Sequence, residues 1–158
     1  MLSEKIKTAL DEQVRLEYET SNLYLQMSSW ASHKGFEGIS TFLRFHSVEE
    51  KVHMEKLFDY INQTGSMAII PSAKQPEINF STVKEMFTLI HKHESHITQK
   101  INSLVDIALQ EKDYSTFKFL QWYVGEQHEE ELLFKNILDK IEIIGEEGVG
   151  MFTIDKEI

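Results

Sequence analysis

Four long segments of this chain place apolar residues at alternating steps of three and four positions. That spacing puts the apolar side chains on one face of an α-helix. We call this apolar face the seam of its segment. The chain contains only 2 Pro and 7 Gly, the usual helix breakers, among its 158 residues. The predicted helices cover about 3–32, 37–64, 82–111 and 114–144. The sequence therefore predicts an all-α fold.

Two of the three connections between these helices are short. Gly35 and Gly38 bracket the first, and Lys112 and Asp113 mark the third together with Ser115, the predicted N-cap of the fourth helix. Helices joined by short connections pack as antiparallel neighbours. The sequence therefore predicts two helical hairpins.

The middle connection, residues 65–81, is longer and carries Pro71 and Pro76. Fully extended, a segment of this length reaches about 55–60 Å. The second helix, at ~1.5 Å per residue, is roughly 40 Å long. The connection can therefore cross the whole bundle and leave the second and third helices parallel. A plain linker between two hairpins is the alternative.

A glycine cluster ends the fourth helix, with Gly145, Gly148 and Gly150 in close succession. Residues 151–158 follow and are predicted to form a short fifth helix. No internal repeat or low-complexity tract divides the chain. Residues 1–158 are therefore interpreted as a single domain, long enough to bury a core without disulfide bonds.

The chain is acidic, with a formal net charge of −10. Such a charge repels nucleic acid and anionic membranes and concentrates cations. The absence of Cys excludes disulfide bonds and thiolate metal sites. No apolar run approaches the ~18 residues of a membrane span, and the first residues lack the apolar stretch of a secretory signal. We therefore expect a cytoplasmic protein that binds neither nucleic acid nor membranes.

Each seam is interrupted near its middle by polar residues of the kinds that bind metal ions. Burying a carboxylate costs several kcal/mol unless a partner compensates its charge. None of the seams offers a Lys or Arg beside these acids, so a metal cation is the predicted partner. The residues are Glu17 on the first seam, Glu50 and His53 on the second, Glu94 on the third, and Gln127 and Glu130 on the fourth.

The spacing of these residues indicates which cation. Glu50 and His53 lie one helical turn apart, so both side chains can reach one ion. Di-iron carboxylate bundles use one Glu from each of two helices and a Glu-x-x-His pair from each of the other two. Here Glu17 and Glu94 match the single carboxylates. Such a ligand set suits iron, with manganese and zinc as competitors, better than copper.

The fourth helix departs from this pattern, because it offers Gln127-x-x-Glu130 where a second Glu-x-x-His is expected. Replacing an imidazole by a neutral amide weakens the second metal position. A weak position favours a site that loads, oxidises and releases its metal. We therefore interpret iron as the substrate of the site and not as its permanent cofactor.

Longer stretches of the chain carry a combined pattern that is more specific than Glu-x-x-His alone. Together they resemble the bacterial non-haem ferritins, and the similarity covers essentially the whole chain. The stretches are Phe42-Leu43-Arg44 leading into Glu49-Glu50-Lys51-Val52-His53, Lys92-His93-Glu94 with Ile97-Thr98-Gln99-Lys100-Ile101-Asn102, Phe119-Leu120-Gln121-Trp122-Tyr123-Val124 running into Glu126-Gln127-His128-Glu129-Glu130-Glu131, and Ile154-Asp155-Lys156-Glu157.

The resemblance implies a role for each candidate residue. Three residues hold the first iron of a ferroxidase centre: Glu17, Glu50 and His53. Glu50 also bridges to the second iron. The second iron is held by Glu94 with Gln127 or Glu130. A third iron site on the route to the cavity is implied for Glu49, Glu126, Glu129 and Glu130. Tyr24 matches a tyrosine that lies beside the centre.

The resemblance also implies a fold and an activity. The fold is a ferritin-like four-helix bundle with one long crossover and a short C-terminal fifth helix. The activity is oxidation of Fe(II) by dioxygen or hydrogen peroxide, with storage of the ferric oxo-hydroxide mineral inside a shell of 24 identical subunits.

Several alternatives remain open from the sequence. Haem-binding bacterioferritins place a Met directly after the bridging Glu, where this chain has Lys51, so no haem is expected. A di-iron oxidase with a permanent cofactor and a non-catalytic helical interaction module are the other functional alternatives. His46 lies on the second seam, either supporting a metal ligand or packed in the core. His91, His93 and His96 are expected to lie outside the ligand set.

Overall fold

The computed structural model describes all residues 1–158 and contains five helices and no strand. The helices are α1 Glu4–His33, α2 Glu37–Gln63, α3 Val83–Gln110, α4 Tyr114–Ile144 and α5 Val149–Glu157. The all-α prediction is confirmed, and the four long helices begin and end within one residue of the predicted positions. None of the helices is both long and apolar enough to cross a membrane.

Three of the long helices begin at a side chain that accepts a hydrogen bond from a main-chain N–H of the first turn. Ser3 Oγ accepts from Ile6 N at 3.2 Å in α1, and Thr82 caps α3 in the same way. Asp113, and not the predicted Ser115, caps α4, because its carboxylate accepts from Thr116 N at 3.0 Å. The Ser115 prediction is wrong because this residue already lies within the first turn of α4.

The apolar core consists of two clusters, one towards each end of the bundle. The upper cluster contains Tyr24, Met27, Ala31, Ile39, Leu43, Phe80, Val83, Met86, Phe87, Ile90, Phe134, Ile137, Ile141, Met151 and Ile154. The lower cluster contains Ile6, Leu10, Val14, Met54, Leu57, Ile61, Ala68, Ile97, Ile101, Leu104, Ala108, Leu120 and Tyr123.

The two clusters define the direction of each helix. The upper cluster takes the C-terminal halves of α1 and α4 and the N-terminal halves of α2 and α3, whereas the lower cluster takes the opposite halves. The four helices therefore run up, down, down and up, with α2 and α3 parallel. This arrangement is the crossover topology predicted from the length of the middle connection.

The middle connection spans the bundle from one end to the other. Ala68, near its start, packs in the lower cluster, and Phe80, near its end, packs in the upper cluster. The ring of Phe80 meets that of Trp30 edge to face, with centroids 5.7 Å apart. The alternative of a plain linker between two hairpins is therefore wrong.

The fifth helix closes the upper end of the bundle through Met151 and Ile154. Asp155 Oδ1 accepts a hydrogen bond from Ile39 N at 2.8 Å, at the start of α2. Phe36 precedes α2 and supplies no side-chain cap, so Asp155 fills that role. A Cβ on Gly38 would lie 1.8 Å from the main-chain oxygen of Asp155. Only glycine at position 38 therefore lets α5 approach α2 so closely.

Candidate metal centre

A layer of buried polar side chains lies between the two apolar clusters. Each of its members is at most 5% exposed, and none belongs to either cluster. The structure thus brings together the polar residues that interrupt the four seams. We call this set the central polar layer: Glu17, Glu50, His53, Glu94, Gln127 and Glu130.

Three members of the layer form a group suited to one metal ion. One ligand atom from each of Glu17, Glu50 and His53 lies within 4.8 Å of the other two. His53 Nδ1 is 3.2 Å from Glu50 Oε2. Gln13 Nε2 donates a hydrogen bond to Glu17 Oε1 at 2.8 Å, which leaves Glu17 Oε2 without a donor. That free oxygen can bind a cation.

A second group shares one carboxylate with the first. Ligand atoms of Glu50, Glu94 and Glu130 also lie within 4.8 Å of one another. Both carboxylate oxygens of Glu50 and Oε2 of Glu130 are buried without a hydrogen-bond donor. Since Glu50 belongs to both groups, its two oxygens can bridge a pair of ions.

Burial raises the pKa of all four carboxyl groups in the layer. It is the largest cause for Glu17 and Glu50, and a neighbouring carboxylate adds to the increase in each pKa. It raises the pKa of Glu94 as well and brings the pKa of Glu130 to about 8. Burial therefore favours the protonated form of Glu17, Glu50 and Glu130 when no cation is bound, and a metal ion would displace those protons.

The donor set fits iron. It consists of carboxylate oxygens with a single imidazole, which suits Fe(II) and Fe(III), and it contains no thiolate. Several of its oxygens are buried without a donor, a costly arrangement in an apolar bundle unless a cation is bound. The geometry can therefore accept two metal ions that share Glu50.

Gln127 makes hydrogen bonds within the layer. Its Nε2 donates to Glu94 Oε2 at 3.0 Å and lies 3.3 Å from the main-chain oxygen of Glu94. The amide therefore orients the Glu94 carboxylate. Because an amide N–H does not bind iron, any ligand role for Gln127 falls to its Oε1.

Two tyrosines support the layer from the apolar clusters. The Tyr24 hydroxyl donates to Glu94 Oε1, and burial with the nearby Glu94 charge raises the pKa of Tyr24, which keeps the phenol protonated. The Tyr123 hydroxyl donates to the main-chain oxygen of His53 at 2.6 Å. Tyr123 lies one turn before Gln127 on the fourth seam, where the apolar pattern alone predicts only a core tyrosine.

The four carboxylates expected at a third iron site are spread over different surroundings. Glu49 and Glu130 form a group with His46, whose ligand atoms all lie within 4.8 Å of one another. Glu126 Oε1 instead lies 3.6 Å from His53 Nε2, and Glu129 is exposed. His46 is thus the residue at this position that the expected set did not include.

The histidines of α3 lie outside the layer. His93 Nε2 is 2.7 Å from Thr20 Oγ1, and burial lowers the pKa of His93 to about 4. His91 is half-buried and His96 is exposed. None of these side chains belongs to a group that could hold a metal ion.

Comparison with known proteins agrees with this geometry. The family model described as a ferritin-like domain matches residues 7–144. A probable bacterial non-heme ferritin-like protein of Haemophilus influenzae is 52% identical over all of this chain and 96% of its own length. A bacterial non-heme ferritin of Escherichia coli O6:H1 is 49% identical, with the same coverage of each chain.

Solved structures of ferritins share the fold. An open pore ferritin from the archaeon Archaeoglobus fulgidus superimposes with a TM-score of 0.97 at 36% identity, over 99% of this chain and 97% of that one. A Chlorobium tepidum ferritin gives a TM-score of 0.90 at 49% identity, over 99% of this chain and 96% of that one. The chain therefore belongs to the ferritin family, among the bacterial non-haem ferritins.

Proposed function

We propose that this chain oxidises Fe(II) at the central polar layer and stores the ferric product. Membership of the ferritin family supports iron storage. One observation carries the oxidation step: carboxylates from all four helices are buried at one level of the bundle, with donor-free oxygens and no cationic side chain among them. Bound cations would compensate the charge of these carboxylates in their ionised form.

In the proposed binding step, two Fe(II) ions occupy the two groups of ligands. Glu17 and His53 hold the first ion, Glu94 and Glu130 hold the second, and Glu50 bridges them. The carboxyl groups lose their protons as the ions enter, because ligation requires the anionic form. Tyr24 and Gln127 both donate hydrogen bonds to Glu94 and so keep this carboxylate in position.

In the proposed oxidation step, each iron ion gives one electron to the oxidant, dioxygen or hydrogen peroxide. With hydrogen peroxide, two Fe(II), one peroxide and two water molecules give two ferric oxo-hydroxide units and four protons. The extra positive charge that develops on iron is stabilised by the carboxylates already oriented around it. The protein thus lowers the energy of the ferric product without supplying a redox group.

Iron is proposed to leave through the second group of ligands, where Gln127 stands in the position expected for a second metal-binding histidine motif. This group contains three carboxylates and no imidazole, and the amide of Gln127 is engaged with Glu94. A site of this kind binds iron during turnover and does not retain it as a cofactor. Iron is therefore the substrate in this proposal.

We further infer that the mineral forms within a shell of 24 copies of this chain. Large apolar side chains are exposed along α2, where Phe45, Val48 and Val52 are 61%, 62% and 54% exposed. Exposed apolar patches on one helix are typical of surfaces that bind other protein chains. Sedimentation of the purified protein tests the inference, and a stable monomer would contradict it.

Anaerobic loading with Fe(II), followed by rapid mixing with air, tests the oxidation step. The doubly substituted Glu17→Ala, His53→Ala protein is expected to lose the fast rise in ferric absorbance. His96→Ala, at an exposed position outside the layer, is the matched control and is expected to behave as the wild type. An unchanged fast phase in the double variant would refute the proposed centre.

A further inference from the structure

Gln13 lies on α1, one helical turn before Glu17, and is only 1% exposed. Its neighbours Leu10 and Val14 belong to the lower apolar cluster. Burying an amide among apolar side chains costs free energy unless the amide is hydrogen-bonded. A methionine fills almost the same volume without that cost, so packing does not explain a glutamine at this position.

The amide of Gln13 contacts the central polar layer. Its Nε2 donates to Glu17 Oε1 at 2.8 Å, whereas Glu17 Oε2 is buried without a donor. Because the two residues are four positions apart on one helix, the contact forms with the helix itself and needs no metal ion. The amide therefore holds the Glu17 carboxylate in one orientation and leaves Oε2 as its unoccupied oxygen.

The carboxylates of the layer differ in how many of their oxygens accept hydrogen bonds. Both oxygens of Glu94 are held, one by Tyr24 and one by Gln127. Neither oxygen of Glu50 has a donor, which suits a bridging position. Glu17 lies between these extremes, with one oxygen held and one free. Burial does not distinguish the three carboxylates, since each is at most 1% exposed, so the difference between them comes from their donors.

We propose that Gln13 is a positioning residue of the iron-oxidising centre and makes Glu17 bind the first iron ion through Oε2 alone. The inference rests on the proposed function, because it assigns Gln13 a role at the same centre. Ligation through one oxygen leaves more of the coordination shell of the ion to water or to the oxidant than ligation through two. Gln13 itself does not bind iron and acts only through Glu17.

The surroundings of Glu17 explain why its orientation needs support. A ligand atom of Glu50 lies within 4.8 Å of one of Glu17, and two carboxylates this close repel each other when both are ionised. The last torsion of a glutamate side chain is soft, so without the amide the carboxylate turns easily. A displacement of about 1 Å at a reacting centre can cost about 100-fold in rate.

Stopped-flow measurement of Fe(II) oxidation tests this role. Gln13→Met keeps the length of the side chain and removes the donor, so the fast phase should slow by about 10–100-fold, the usual cost of losing a group that orients a metal ligand. Gln13→Asn keeps the amide on a shorter side chain and should slow the reaction as well. Gln99→Met, the same change at an exposed position of α3, is the matched control and should keep the wild-type rate. Circular dichroism verifies that each variant is folded.

A double-mutant cycle shows whether Gln13 acts through Glu17. Gln13→Met should slow the wild type but add nothing to Glu17→Ala, because the carboxylate that the amide orients is gone. A further slowing of about 10-fold in the double variant would overturn the proposal. An unchanged fast phase in both folded Gln13 variants would overturn it as well.

Crystals soaked in Zn(II), a redox-inert probe, give a readout that a purely structural role would not change. In the wild type, zinc is expected about 2.0–2.2 Å from Glu17 Oε2, with Oε1 still bonded to Gln13 Nε2. In Gln13→Met the carboxylate is expected to turn and bind zinc through both oxygens. Two-oxygen ligation by Glu17 in the wild type, or unchanged ligation in Gln13→Met, contradicts the proposal.

Failure of the proposed function is distinguishable from failure of this inference. If the Glu17→Ala, His53→Ala protein keeps the fast phase, the proposed iron pair is wrong and the role of Gln13 falls with it. If that protein loses the fast phase while both Gln13 variants keep it, the iron pair stands and only the role of Gln13 is wrong.

Discussion

The two apolar clusters and the central polar layer are built from the same helices at different heights, yet they obey opposite rules. In the clusters, side chains such as Leu10 and Phe87 are fully buried and surrounded by apolar neighbours, so burial stabilises the fold. In the layer, Glu17 and Glu94 are buried just as completely, and their burial costs stability unless a cation is present. Stability therefore resides at the ends of the bundle and chemistry at its middle.

The largest expected effect, on the rate of Fe(II) oxidation, comes from a substitution in the central polar layer that leaves both apolar clusters intact. Glu50→Ala removes the only carboxylate common to both groups of ligands, so the fast phase of Fe(II) oxidation should slow by about 100-fold or more, since even residues that only support a ligand cost 10–100-fold. Stopped-flow absorbance measures the rate. The metal-free variant should be at least as stable as the wild type, because a buried carboxyl group without hydrogen-bond partners is lost. A large loss of stability would contradict the comparison.

The converse substitution lies in an apolar cluster and is expected to lower the free energy of unfolding without changing the central polar layer. Leu10→Ala, in the lower cluster, should lower the free energy of unfolding by about 2–5 kcal/mol, because it removes buried methyl groups and leaves a cavity. Urea denaturation measures the loss. Ile143→Ala, at a position that is 84% exposed, is the control and should change stability by about 0.5 kcal/mol or less. Zinc stoichiometry should be unchanged in both folded variants.

The pH dependence of stability sharpens the contrast. Burial raises the pKa of Glu130 to about 8 in the metal-free fold, from an ordinary value of 4.5. The folded state then binds the proton more tightly than the unfolded chain, so this contribution is complete below about pH 4.5 and is lost as pH rises through about 8. Denaturation of the metal-free protein across this window should therefore show stability falling with pH, and Glu130→Gln should weaken the slope. An unchanged slope would contradict the role of this carboxyl group.

The smallest expected effect concerns the upper end of the bundle. Asp155→Ala removes the side chain that accepts a hydrogen bond from Ile39 N at the start of α2, and should cost about 1 kcal/mol, as loss of a helix cap does. Thermal unfolding measures it, with Glu157→Ala on the same helix as the control. Oxidation of Fe(II) should not change, because the cap lies outside the layer; a slower reaction would show that the two regions are coupled.

Much of the fold could be predicted from the sequence because the signals are local. The steps of three and four gave the four long helices to within one residue, and the length of the middle connection was enough to favour a crossover. The polar residues in the seams also identified the central polar layer. A carboxylate on an apolar seam must be buried when the seam packs, whichever helix it faces.

Other features could not be predicted because they depend on contacts between distant residues. Whether Asp113 or Ser115 caps α4 depends on the residue at which the first turn of the helix begins, and packing of the connection decides that residue. The contact of Asp155 with Gly38 and Ile39 joins helices that are far apart in sequence. A helical pattern does not reveal which residue of another helix faces a given position.

The sequence by itself determined the helices, their seams and the residue types that would meet at mid-height, since these follow from periodicity and from the cost of burying charge. Only the tertiary structure decided the partners: Gln127 on Glu94, Tyr123 on the main chain of His53, and His46 beside Glu49 and Glu130. The physical reason is that a shift or rotation of one helix against another changes every such pairing, while leaving the apolar pattern of each helix intact.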